Sequence, residues 1–119
     1  MYKRKNYVIP ALGLEIFYND LPSHRLWREY NSLSLALRGG GWRAPTLHEL
    51  QYMHSLHKLG VMGFKDAIYW SSEIPYNSVN IQKEGIRYCV DFSNPSNEPI
   101  KMNIHTTYQA FRPVRSINI

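Results

Sequence analysis

The spacing of apolar and polar positions changes character twice along this 119-residue chain. Near the N-terminus, Tyr7-Val8-Ile9 and Leu14-Glu15-Ile16-Phe17 are short β-prone runs separated by Pro10 and Gly13, which predicts two strands. The period then becomes helical. Pro22-Ser23 opens a predicted helix with Ser23 as its N-cap, and Leu26, Trp27, Tyr30, Leu33 and Leu37 fall on one side before the glycines at 39–41 end it. A second helix is predicted over 46–59, with Leu47, Leu50, Met53 and Leu56 or His57 turned inward and Gly60 as its stop.

Beyond Gly60 the pattern is that of strands. Tyr69-Trp70-Ser71-Ser72 is a short β-like segment. In 86–92 the alternation puts Ile86, Tyr88, Val90 and Phe92 on one face and Arg87, Cys89 and Asp91 on the other. Residues 93–99 are rich in turn formers, 100–104 alternate again, and 108–115 supply a last predicted strand. Two consecutive helices flanked by strands predict an α+β fold with an antiparallel sheet, in which strands from both ends of the chain pair.

One stretch fixes more local structure than any other. Gly39-Gly40-Gly41 gives a backbone that can take positive φ, and Thr46, three residues before Glu49, spells a capping box. Between them stand Trp42, a ring that demands burial, and Arg43, a cation that needs partners if it is buried as well.

Composition narrows the class. The length suits one domain over 1–119, and 44% hydrophobic with 13% aromatic residues argues for a packed core over disorder. The formal charge of +5 is compatible with an acidic partner, but the 14 Lys and Arg are scattered apart from Lys3-Arg4-Lys5, which weighs against nucleic acid. The lone Cys89 cannot form an intramolecular disulfide, so stability rests on packing. No apolar run reaches the length of a membrane-spanning helix, and the charged N-terminus is not followed by a signal-peptide core, so the chain as written reads as cytoplasmic.

Four stretches in order carry a family likeness. Gly40-Gly41-Trp42-Arg43-Ala44-Pro45-Thr46 with Glu49-Leu50 resembles the GGWRLPT-x-x-EL signature of the bacterial Lcl C-terminal domain family. Tyr69-Trp70-Ser71-Ser72 resembles its YWSS segment, Phe111-Arg112-Pro113-Val114-Arg115 its closing R-x-VR strand, and Trp27 the tryptophan of its first helix. The resemblance covers residues 11–116 and implies a C-type-lectin-like fold, related to that of the formylglycine-generating enzymes and of phage and bacterial receptor-binding proteins. The best-known members are surface adhesins that bind sulfated glycans. Ala44 stands where the family usually has Leu, and its paired cysteines have no counterpart here.

The candidate chemistry follows from residue type and place. Trp27, Trp42, Arg43, Glu49, Trp70, Arg112 and Arg115 lie in the signature stretches, so they read as structural: the arginines as partners of acids or carbonyls and Glu49 as a helix cap. His54 and His57 stand at i, i+3 on the second helix, yet a second His at i+4 from His48 is missing, so no metal site is read; the histidines and Tyr52 are expected along a partly exposed flank. Cys89, beside Arg87 and Asp91, reads as a half-buried structural thiol. Asn97-Glu98-Pro99-Ile100 approaches a calcium-lectin loop but breaks at Ile100, and no Trp-Asn-Asp follows. Amides, hydroxyls and a ring at Glu73, Tyr76, Asn77, Ser78, Asn80 and Gln82, with Asn94, Asn97 and Glu98 in the later loop, suit sugar or peptide recognition.

The expectation is therefore a non-enzymatic module that binds a glycan or a protein surface through these loops, without cofactor or metal, and with self-association open. The alternatives are a structural subunit of a phage or injection particle and an enzyme related to the formylglycine generators, for which Cys89 would be the nucleophile.

Overall fold

The computed structural model describes residues 5–22, 25–37, 39–75 and 85–117. The chain is α+β. Strands β1 (Tyr7–Ile9), β2 (Leu14–Ile16) and β6 (Val114–Ser116) form one antiparallel sheet in the order β1-β2-β6, which joins the two ends of the chain. Strands β3 (Ile68–Trp70), β4 (Ile86–Asp91) and β5 (Ile100–Asn103) form a second antiparallel sheet in sequence order. Helices α1 (Trp27–Leu35) and α2 (Leu47–Lys58) lie between β2 and β3 in the chain.

Helix α2 follows the local chemistry closely. The Thr46 hydroxyl accepts from the Glu49 amide at 3.2 Å, and the Glu49 carboxylate accepts from the Thr46 amide at 2.9 Å, closing the capping box. At its other end Gly60 takes φ +71°, with Gly60 N donating to His57 O and Val61 N to Leu56 O, both at 3.0 Å. That pair of bonds is a Schellman stop, which a residue with a Cβ would strain.

Helix α1 starts later than its N-cap signal suggested. Leu26 is the cap residue, its amide donating to Glu29 Oε1 at 3.1 Å, and the helix ends at Leu35, short of Leu37; Ser23 lies outside the described residues. Ahead of the helix, Phe17 N and Leu21 N donate to Pro113 O and Phe111 O at 2.9 and 3.0 Å, tying residues 17–21 to the end of the chain.

The expected strand over 108–115 is also shorter. Ala110 bridges to Tyr69 of the second sheet, and only Val114–Ser116 joins the first. Pro113 has no N–H to give a ladder, and residues 110–113 instead hand the chain from one sheet to the other.

The second sheet is covered on both faces, which the alternation of β4 did not foretell. Val90, Tyr69 and Phe92 pack with Leu50, Met53 and Leu56 of α2 and with Leu14, Ile16 and Val114 of the first sheet. Trp70 and Cys89 pack on the opposite side with Tyr30 of α1, Phe111 and Ile104. Cys89, read as a half-buried structural thiol, is fully buried. The polar neighbours Arg87 and Asp91 misled the pattern because they sit at the strand's margins, where Arg87 escapes by stacking 4.7 Å above the Trp27 ring.

Candidate functional site

Arg43, Arg112 and Arg115 are bound into the frame. Arg43 reaches Glu49 through both terminal nitrogens, at 2.7 and 3.0 Å, and Ser116 Oγ at 3.1 Å, tying the start of α2 to β6. Burial alone would raise the Glu49 carboxyl, but hydrogen bonds from Arg43 and Thr46 and the Arg43 charge outweigh it and hold the group below the ordinary carboxylate range. Arg115 donates to Glu15 Oε1 at 2.7 Å and to Gly40 O at 3.2 Å, with its guanidinium 4.5 Å from the Trp42 ring. Trp42 is 2% exposed and meets Phe17 edge-on at 5.1 Å.

Gly39 is required at that junction. Its φ is +96°, and a Cβ there would come 2.5 Å from Arg115 Nη1.

Deeper still, Arg112 and Asp20 form an ion pair at 2.8 Å with side chains only 1% and 6% exposed. Tyr69 donates its hydroxyl to the same carboxylate at 2.9 Å, and Arg112 also donates to Gly63 O at 2.8 Å. Burial and the adjacent Asp20 charge push the Tyr69 hydroxyl well above its usual range. This network is closed on itself and shut off from solvent, so it locks four segments together and offers nothing to a ligand.

The loop after β4 is built differently. Asp91 Oδ1 accepts from Ser93 N at 2.9 Å and Ser93 Oγ at 2.6 Å; Asn94 Oδ1 accepts from Ser96 N at 3.1 Å, and Ser96 Oγ from Glu98 N at 3.2 Å. Three residues of α2 then clasp its carbonyls. Gln51 Nε2 donates to Asn97 O at 3.1 Å, His54 Nε2 to Asn94 O at 2.7 Å, and Lys58 Nζ to Pro95 O at 3.0 Å. A carbonyl can only accept, so the His54 proton sits on Nε2.

The clasp was readable in part, because residues 51, 54 and 58 share one helical face. His54 is nevertheless 2% exposed and edge-on to Phe92 at 5.4 Å, not on an exposed flank as expected. Its partner is 40 residues away, and no local spacing announces that.

Among the predicted site residues, Asn94, Asn97 and Glu98 are thus gathered on one exposed, pinned loop. The Asn94 side chain is used within the turn, while the Asn97 and Glu98 side chains make no hydrogen bond or ion pair among the described residues. Glu73 is exposed but belongs elsewhere. Its carbonyl accepts from Tyr88 N near the start of β4, whereas the loop leaves the strand's far end. Tyr76, Asn77, Ser78, Asn80 and Gln82 lie outside the described residues.

His57 Nε2 lies 2.7 Å from Asp66 Oδ1, but among the described residues no hydroxyl or thiol is hydrogen-bonded to that imidazole, as a nucleophile–base pair requires. Burial pushes the Cys89 thiol far above its usual range, which opposes thiolate formation. Among the described residues no group of three or more His, Cys, Asp or Glu side chains is placed to hold a metal ion, and no helix is long and apolar enough to cross a membrane.

With this geometry the molecule is a small α+β domain of two antiparallel sheets in which α2 braces the exposed loop at 93–99. Comparison with models of known protein families, with curated proteins and with solved structures finds no match to the chain.

Proposed function

We propose that this domain is a non-enzymatic recognition module that binds a glycan through the loop at 93–99. The observation that carries the reading is the clasp of that loop by Gln51, His54 and Lys58. Its backbone is already ordered, so a ligand meeting Asn97 and Glu98 need not supply the ordering entropy. An amide beside a carboxylate offers both donors and acceptors to sugar hydroxyls. The likeness of the stretches at 40–50, 69–72 and 111–115 to the Lcl C-terminal domain signature supports the same reading, with a C-type-lectin-like frame as part of the proposal.

The test is a glycan array with sulfated and unsulfated sugars, read for the wild type and for the double variant Asn97→Ala, Glu98→Ala. Binding is expected in the wild type and at least about tenfold weaker in the variant, a difference of roughly 1.4 kcal/mol. An empty array overturns the glycan reading, and undiminished binding by the variant removes the loop from the site.

A further inference from the structure

The turn that joins α2 to β3 holds aliphatic side chains out to water. Leu59 is 75% exposed and Val61 44%, on either side of Gly60. The turn is not loose. The two Schellman bonds hold its first half, while Arg112 grips Gly63 O at 2.8 Å and Lys65 N donates to Tyr69 Oη at 3.0 Å on the return.

Nothing in the backbone asks for Leu at position 59. A helix C-cap with ordinary right-handed φ and ψ accepts a polar residue equally well.

Isolated exposed apolar residues, such as Leu35 at 67%, need no explanation. This group differs in three ways. Two aliphatic side chains share one rigid turn. Tyr52, 39% exposed, stands seven residues before Leu59 and so on the same helical face, adding an amphipathic ring beside them. Lys58 and Lys65, both exposed, flank the turn in the chain. Asp66, which follows Lys65, is 76% exposed and keeps its charge while it meets His57 Nε2 at 2.7 Å, and Lys58 keeps two further donors beyond its bond to Pro95 O.

We propose that this turn docks the domain onto an anionic lipid surface. Leu59 and Val61 enter the boundary between headgroups and acyl chains, Tyr52 sits at headgroup level, and Lys58 and Lys65 meet the lipid charge. The charge of +5 on the whole chain favours the same approach. Contact of this kind is shallow and reversible, because apolar area this small anchors weakly without electrostatic help. Its aliphatic contacts lie outside the glycan loop, although Lys58 also donates to Pro95 O there.

Co-sedimentation with phosphatidylcholine vesicles, with and without phosphatidylserine, tests the proposal on the intact chain. Binding is expected only with phosphatidylserine, to fall as salt rises, and to drop at least about tenfold in the double variant Leu59→Ser, Val61→Ser. Both side chains are exposed, so the variant should keep the wild-type melting temperature. Lys65→Glu should weaken binding in the same direction.

Absence of binding to phosphatidylserine vesicles overturns the proposal. So does full binding by the Leu59/Val61 variant, which would assign the attraction to the basic residues at 3–5 instead. Concentration-dependent self-association of the wild type that this variant abolishes would likewise overturn it and make the turn a contact between copies. Asn97→Ala, Glu98→Ala should leave vesicle binding unchanged, which separates this result from the fate of the glycan reading.

Discussion

In the frame around residues 39–50, polar side chains face one another; in the loop at 93–99, it is the backbone that is held. Arg43, Glu49, Arg115 and Glu15 bond to each other or to carbonyls of their own fold, and Arg112 and Asp20 do so with almost no contact with water. The loop has its carbonyls clasped by α2 while Asn97 and Glu98 point their functional groups into solvent. A polar residue matched by its own protein stabilises a fold. A polar residue on a braced backbone, itself unmatched, is available to a partner. The conspicuous arginines at 43, 112 and 115 belong to the first kind.

Breaking the frame should cost the most. Arg112→Leu would strand the buried Asp20 carboxylate and is expected to cost about 3–5 kcal/mol in urea denaturation. A loss below about 1 kcal/mol would show that water reaches the pair. Trp42→Ala should cost a similar ~3–5 kcal/mol, because the ring is 2% exposed between Phe17 and Arg115.

Gly39→Ala comes next, at about 1–3 kcal/mol, from its left-handed backbone and the forced retreat of Arg115. Since the group in the way is the end of a flexible side chain, an Arg115→Ala background should reduce that cost and leave the backbone term.

The pH dependence sharpens the comparison further. Glu49 and Glu15 are both held below the ordinary carboxylate range when folded; in each, burial pulls upward and is outweighed by hydrogen bonds, from Arg43 and Thr46 to Glu49 and from Asn6 and Arg115 to Glu15. A lowered folded pKa contributes stability that is fully present above the unfolded value, near 4.3 by ordinary glutamate behaviour, and is lost as pH falls through the folded value. Stability measured from neutral pH downward should therefore decline in acid, and Glu49→Gln should flatten that decline without abolishing it, since Glu15 remains. An unchanged slope would remove Glu49 from the account. The smallest effect on stability belongs to Asn97→Ala, Glu98→Ala, within about 0.5 kcal/mol of wild type, because neither side chain has a partner to lose among the described residues.

Much of the frame was legible because its causes are local. The Thr46–Glu49 box, the inward face of α2 and the Gly60 stop are set within a turn or two of chain, and the structure has them where the spacing puts them. The alternation in β4 named a strand correctly, but the half-buried reading of Cys89 fell short of its full burial, which depends on packing with Tyr30 of α1 that a strand's own pattern does not contain. The N-cap reading at Ser23 placed the start of α1 too early: Leu26 is the cap, and residues 17–21 ahead of it are tied to Phe111 and Pro113, some 90 residues on, at 3.0 and 2.9 Å. Of the candidate site, the residue types in 94–98 and the shared face of residues 51, 54 and 58 were visible, but not that this face meets that loop, 37 to 46 residues on.

By itself, then, the sequence determined the order and type of the elements: the ends of α2, the turn at Gly60, which face of α2 is apolar, and an α+β order with terminal strands that pair. The tertiary structure alone decided the partners. It set Asp20 on Arg112 across 92 residues and Glu15 on Arg115 across 100, covered the second sheet twice, and laid the loop against Gln51, His54 and Lys58. The reason is physical. Capping and periodicity are short-range effects between neighbours in the chain, whereas burial and charge pairing depend on which distant segments the packed core brings within a few ångströms.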